Sequence, residues 1–206
     1  MAKQALIVLF TVLAFGILVP WYKGFTFLDP RMLAAYGLLA VLFVAPASAE
    51  SFAGERDLAS PETILGRLMV LIAFGWGITV LVLATALATL NLSYWHGTLI
   101  SPPWQLFAAI LVCSLTACAA VGTLSAVLAR TLSAGTVKTI LRFSFLGILL
   151  AFAFSSRLPD AWQIWLDEHT TRRAIIHLAW EGSAVCAVIA GMLLIPLLRK
   201  PGKEPA

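Results

Sequence analysis

Charged residues are absent from positions 68–129, between Arg67 and Arg130. A run of that length without a formal charge is incompatible with a water-facing surface. A bilayer hydrocarbon core about 30 Å thick is crossed by roughly 20 apolar helical residues, so the run accommodates two passes and a turn. The turn falls where Asn91, Ser93, His96, Gly97, Ser101, Pro102 and Pro103 break the apolar pattern, beside Tyr94, Trp95 and Trp104. Tyrosine and tryptophan settle at headgroup boundaries, one end of the ring wet and the other apolar. Extended over the chain, the same pattern predicts spans at about 4–21, 31–49, 67–91, 104–129, 137–156 and 173–198. Continuous runs of Leu, Ala, Val and Ile favour helices over a barrel, whose strands would alternate in polarity every second residue. The expectation is an all-α polytopic membrane protein of about six transmembrane helices, one domain over 1–206.

Composition agrees: 61% of residues are hydrophobic and 12% charged, far from the balance of a soluble domain. The net charge of +4 comes from basic residues in short segments between apolar runs, which argues for topology and against a nucleic-acid partner. With both termini in the cytoplasm, nine of the 14 Lys and Arg residues lie inside (Lys3, Arg56, Arg67, Arg130, Lys138, Arg142, Arg199, Lys200, Lys203) and the other five outside (Lys23, Arg31, Arg157, Arg172, Arg173). That split follows the positive-inside rule and predicts a plasma (inner) membrane location in this orientation. Ala5 to Val19 could pass for a secretory signal but runs into Pro20-Trp21-Tyr22-Lys23. Arg31, Met32 to Val44 and Ala45-Pro46-Ala47-Ser48-Ala49 imitate a second signal with its cleavage site. Both are read as retained spans. Small residues at Ser114, Cys118, Gly122 and Ser125 or Ala126 predict a helix-packing stripe on the fourth span, and Gly75 with Gly77 a flat patch on the third.

Three segments hold candidate chemistry. The loop Glu50 to Arg67 contains four of the ten acids, and Ser60, Pro61 and Glu62 form a helix-start signal. It predicts a short amphipathic helix on the membrane surface with Ile64 and Leu65 on its apolar side. Between Arg157 and His177, Leu158, Ala161, Trp162, Trp165 and Leu166 recur opposite Asp160, Gln163, Asp167 and Glu168, which predicts an interfacial amphipathic helix before the last span. In the last span, His177 and Glu181 are four apart on one face. A carboxylate near the membrane centre costs on the order of 3 kcal/mol, so Glu181 is expected to face protein or water and to find a partner, with His177 nearest.

Glu50 and Phe52-Ala53-Gly54-Glu55-Arg56-Asp57, placed directly after the second span, resemble the cytoplasmic loop of type-2 ATP-binding cassette exporter permeases. In that family an acidic stretch ending Gly-Glu-Arg-Glu/Asp leads into a coupling helix that touches a partner ATPase. The six spans, the small-residue fourth span followed by Leu128 to Gly135, and the amphipathic stretch before the last span are also similar, so the likeness covers about 32–198. The chain departs from the family in having no interfacial helix before the first span and a shorter coupling segment after Asp57. The resemblance implies a permease subunit that exports an unspecified substrate, with Glu50, Gly54, Glu55, Arg56, Asp57 and Glu62 as the coupling loop. It also implies two partners besides the lipid bilayer, a cytoplasmic ATPase and a second permease copy or homologue, and a gate from the stretch before the last span.

The chain has no Gly-rich phosphate loop with Lys-Ser/Thr, so ATP would be handled by a separate subunit. Neither a nucleophile elbow nor a Ser-His or paired-Asp arrangement occurs, and Cys113, Cys118 and Cys186 lack metal-ligand spacing. The expectation is no catalytic site, metal or cofactor. A non-transporting subunit that scaffolds a membrane complex is the alternative. A haem or pigment subunit, drawing on His96, His169 and His177, is a weaker third.

Overall fold

The computed structural model describes residues 2–24, 28–52, 60–93, 103–133 and 170–198, with isolated positions between 135 and 168. Among the described residues every regular element is a helix. The first span is a continuous helical path built of α1 (Ala2–Thr11), a π-helical stretch (Val12–Leu18) and α2 (Val19–Lys23). The second is α3 (Pro30–Gly37) and α4 (Leu39–Phe52). Then follow α5 (Pro61–Ser93), α6 (Trp104–Thr131) and α7 (Arg172–Leu198). Four helical stretches, Pro30–Phe52, Pro61–Ser93, Trp104–Arg130 and Arg172–Leu198, are long and apolar enough to cross a bilayer, and Val8–Lys23 is a shorter apolar helix. The protein is an all-α polytopic membrane bundle.

The helix starts follow local chemistry. Asp29 precedes Pro30 at the first helical position and its carboxylate accepts the Arg31 N–H at 2.8 Å. Ser60 does the same for α5 by accepting the Thr63 N–H, and Thr171 for α7 by accepting the Ala174 N–H, each at 3.3 Å. Each hydroxyl or carboxylate occupies one of the N–H groups that a helix start leaves without a backbone partner. A further helix begins after Ser133, whose hydroxyl accepts the Thr136 N–H at 3.2 Å. The rest of the expected fifth span, and nearly all of the amphipathic stretch before the last span, lie outside the described residues.

Pairwise contacts give the helix directions. Gly37 meets Ile110, Val44 meets Gly122, and the Ser48 hydroxyl donates to the Gly122 carbonyl at 2.7 Å, so the α3–α4 span runs parallel to α6. Gly182 approaches Cys113 while Arg130 Nη1 donates to the Leu197 carbonyl at 2.9 Å, so α7 also runs parallel to α6. The antiparallel member is α5: Trp76 Nε1 donates to the Leu111 carbonyl at 3.0 Å, and Leu68 lies against Gly122. Thus α6 is the central helix, packed by α3, α4, α5 and α7. The bundle has two ends, one holding Asp29 and Pro103, the other holding Glu50, Pro61 and Leu198.

Burial divides along this axis. Toward the Asp29 end, Leu33, Tyr36, Val82, Leu90, Leu106 and Ile110 form one buried cluster. At the Glu50 end Phe52, Ile64, Leu68, Ala126, Ala129 and Leu197 form another. Between them Ala40, Val44 and Cys118 meet where α4 crosses α6. The expected stripe of Ser114, Cys118, Gly122, Ser125 and Ala126 is buried along its length. The imitation cleavage site is its counterpart: Ala45, Ser48 and Ala49 are all buried, so those small residues serve close helix contact.

Two expectations are corrected. Among the described residues no separate surface helix precedes the third span: the helix started by Ser60 continues through Gly66 and Arg67 unbroken to Ser93. Ile64 is consequently in the core cluster with Phe52 and Leu197 and does not rest on lipid. At roughly 1.5 Å per residue α5 is about 50 Å long, so its turns before Arg67 extend past a hydrocarbon core of about 30 Å. Gly75 and Gly77 likewise do not make one patch. Two residues advance a helix by about 200°, and Gly75 is buried against Val44 while Gly77 is exposed.

The π-helical stretch has a local explanation. Its widened turns disturb the regular backbone ladder in a place where lipid supplies no alternative partner. Tyr36 donates its hydroxyl to the Phe15 carbonyl at 2.9 Å and Thr89 donates to the Gly16 carbonyl at 3.0 Å. Tyr36 also stands edge-on to the Phe15 ring, with centroids 6.0 Å apart.

Candidate functional site

At the Glu50 end, α4 closes with Glu50 exposed and Phe52 buried. α5 opens with Pro61 at its first position and Glu62 exposed in the first turn, where a carboxylate complements the positive end of the helix dipole. Gly54, Glu55, Arg56 and Asp57 lie outside the described residues. The two acids that bracket them, Glu50 and Glu62, stand at the same end of the bundle. The turns carrying Glu62 are tied to the core by Ile64 and Leu68, which pack with Ala126 and Ala129 of α6 and Leu197 of α7.

Arg130 stands at this end too. Its guanidinium reaches the last turn of α7, and since α6 and α7 are parallel it lies by the negative dipole ends of both. Its Nε is buried with no partner among the described residues. Arg130 therefore fastens the ends of two helices, in addition to any contact with headgroups.

His177 and Glu181 are brought to one face of α7, as their spacing predicts, but that face points away from the bundle. Both side chains are exposed, and among the described residues no hydrogen bond or ion pair reaches either. Of the expected surroundings, protein or water, the bundle's own interior is not the one that Glu181 meets, and His177 is on its face without being bonded to it. The physical reason is register. Ile175, Ala179, Ser183 and Ala190 occupy the side of α7 that meets α6, and a residue two positions after Ala179 is rotated by about 200° to the opposite side.

One cleft opens between α3, α6 and α7, with a volume of about 230 Å³, lined by Ala34, Gly37, Leu38, Ile110, Cys113, Ser114, Ile175, Leu178 and Ala179. It adjoins a discontinuity in the second span, where the Leu38 N–H donates to the Ala35 and Tyr36 carbonyls in place of that of Ala34. The lining is apolar apart from a hydroxyl and a thiol. The cleft falls below the roughly 300–1,000 Å³ of small-molecule sites and holds no group suited to acid–base work.

Sequence reasoning missed the polar side chains that tie helices together: Tyr36, Ser48, Trp76 and Thr89. Their signal was present, since each is a hydrogen-bonding residue inside an apolar run, yet nothing in one sequence says which carbonyl it meets. His96 and His169 lie outside the described residues, and the cysteines at 113, 118 and 186 are free thiols. Among the described residues no group of three His, Cys, Asp or Glu side chains is placed to hold a metal ion. Compared with known protein families, curated proteins and solved structures, the chain matches none.

Proposed function

We propose that this chain is the permease subunit of an ATP-binding cassette transporter, acting as an exporter with a separate cytoplasmic ATPase and a second permease copy. It sits in the plasma (inner) membrane with both termini in the cytoplasm. The observation that carries the reading is the Glu50–Glu62 junction. The acidic segment resembling a coupling loop falls between α4 and α5, and the helix that follows it is capped, rigid and wedged into the core through Ile64 and Leu68.

In this reading a push on the loop reaches α6 and α7 through that cluster, because the contact residues come from all of these helices. Interiors packed to this density transmit displacement instead of absorbing it. The ATPase supplies ATP hydrolysis, and this chain supplies the membrane path and the docking surface.

The test is association. The chain is tagged and purified in mild detergent from its native host, as the parent and as Glu55→Ala/Arg56→Ala, and co-purifying ATPase subunits are identified by mass spectrometry. Recovery of a stoichiometric complex by the parent and its loss in the double variant, with unchanged membrane yield, is the expected result. A chain that purifies without any ATPase, and whose double variant behaves like the parent, would refute the permease reading and leave a scaffold subunit in its place.

A further inference from the structure

Exposed apolar residues on a membrane helix need no explanation, since lipid covers them. An exposed carboxylate does. At roughly 1.5 Å per residue, the stretch of α7 from Arg173 to Leu198 is about 38 Å long with its midpoint near Cys186. Glu181 then lies about 8 Å from the membrane midplane, inside a hydrocarbon half-thickness of about 15 Å. Exposed at that depth in a single copy, it would meet lipid, where a charged or unpaired carboxyl is disfavoured by a few kcal/mol.

A second feature shares this face. Leu178, Glu181, Val185, Val188, Met192 and Ile195 follow the alternating three- and four-residue spacing of a heptad seam, and the five apolar members are 56–67% exposed. α7 is also the least covered of the four long spans, with 17% of its apolar window buried against 56% for α6. Seam spacing of this kind suits a left-handed helix pair at a shallow crossing angle. His177 flanks the seam one turn before Glu181.

We infer that this face of α7 is where a second copy of the chain docks, α7 against α7, with Glu181 of each copy hydrogen-bonded to His177 of the other. The two copies enter the membrane in the same orientation, so a twofold axis along the membrane normal sets the helices parallel. His177 and Glu181 are mutually complementary, an imidazole N–H donor and a carboxylate acceptor, so the twofold closes two equivalent bonds with no other chain required. The inference rests on the transporter reading only for the presence of a second copy. It requires no ATPase.

The test uses the full chain in native membranes without ATPase. In a background with Cys113, Cys118 and Cys186 replaced by Ala, single cysteines are introduced as Val185→Cys, Met192→Cys and, as a control on exposed α5, Leu81→Cys. Mild oxidation should give disulfide dimers at positions 185 and 192 and none at 81. Energy transfer between labelled copies in liposomes should show at least a tenfold loss of dimerisation for Glu181→Leu, and recovery in the exchange variant His177→Glu/Glu181→His. Cross-linking at position 81 as efficient as at 185 and 192, or unchanged dimerisation in Glu181→Leu, would overturn the inference and leave lipid or another segment of the same chain over this face. The ATPase association described above is scored separately, so either reading can fail alone.

Discussion

Gly75 and Gly77 lie two residues apart on α5, and replacing each by Ala should have opposite effects. A Cβ at Gly75 would strike Val44 Cγ2 and fall 3.1 Å from the Ala40 carbonyl oxygen. Val44 is branched and buried, and the second obstacle is backbone, so room can come only from moving α4 and α5 apart. Overpacking of this kind costs about 1–3 kcal/mol. The better helix propensity of Ala returns about 1 kcal/mol, leaving a net loss of up to about 2 kcal/mol. At Gly77 nothing lies within 4 Å, so only the propensity gain remains. For a chain of this size 1 kcal/mol moves Tm by about 2–4 °C. Thermal unfolding in detergent, followed by loss of the monodisperse peak, should show Gly75→Ala lowered by roughly 2–6 °C and Gly77→Ala unchanged or slightly raised. Combining Gly75→Ala with Val44→Ala should lose less than the sum of the single changes, since the second removes the methyl that the first strikes. Equal shifts for the two glycine variants, or strict additivity in the double variant, would refute the α4–α5 contact as described.

Ser48→Ala removes a buried 2.7 Å bond to the Gly122 carbonyl and should destabilise by about 1 kcal/mol, read as a Tm loss in the same assay. Tyr36→Phe keeps the edge-on ring but deletes the hydroxyl that serves the Phe15 carbonyl, and should speed hydrogen exchange in the 12–18 stretch more than in α6. Arg130→Met should loosen the end of α7, making the chain after Leu198 cut faster by protease while the Ser93–Trp104 connection is unaffected. In membranes a thiol-reactive maleimide should modify the half-buried Cys113 and Cys186 before the fully buried Cys118, as mass spectrometry of the digested protein will show.

Much of this architecture could be read from residue order. Span positions follow from charge-free apolar runs, and helix starts at Ser60 and Pro61 from cap chemistry that acts within one turn. The stripe from Ser114 to Ala126 announced a close contact because small residues have one main use in lipid. What could not be read was rotation and direction. Apolarity surrounds a membrane helix, so it does not mark the side of α7 that meets α6, and the choice between protein and water for Glu181 could not be made from sequence. The end of α4 and the start of α5 misled for a different reason. Arg67 marks where the hydrocarbon ends and has no bearing on where the helix ends, so a surface helix and a span were counted where the backbone makes one rod. Of the candidate coupling residues only Glu50 and Glu62 are described, one near the end of α4 and the other in the first turn of α5.

The bond from Ser48 to Gly122 also governs what the bundle is free to do. Below Leu38 the second span is clamped to α6 as a plank nailed to a post, while above Leu38, past the interrupted ladder, Pro30–Gly37 is held by other neighbours, Tyr36 on the Phe15 carbonyl and Gly37 against Ile110. The two halves of one span thus answer to different partners, and the break at Leu38 is the seam where those two sets of ties meet.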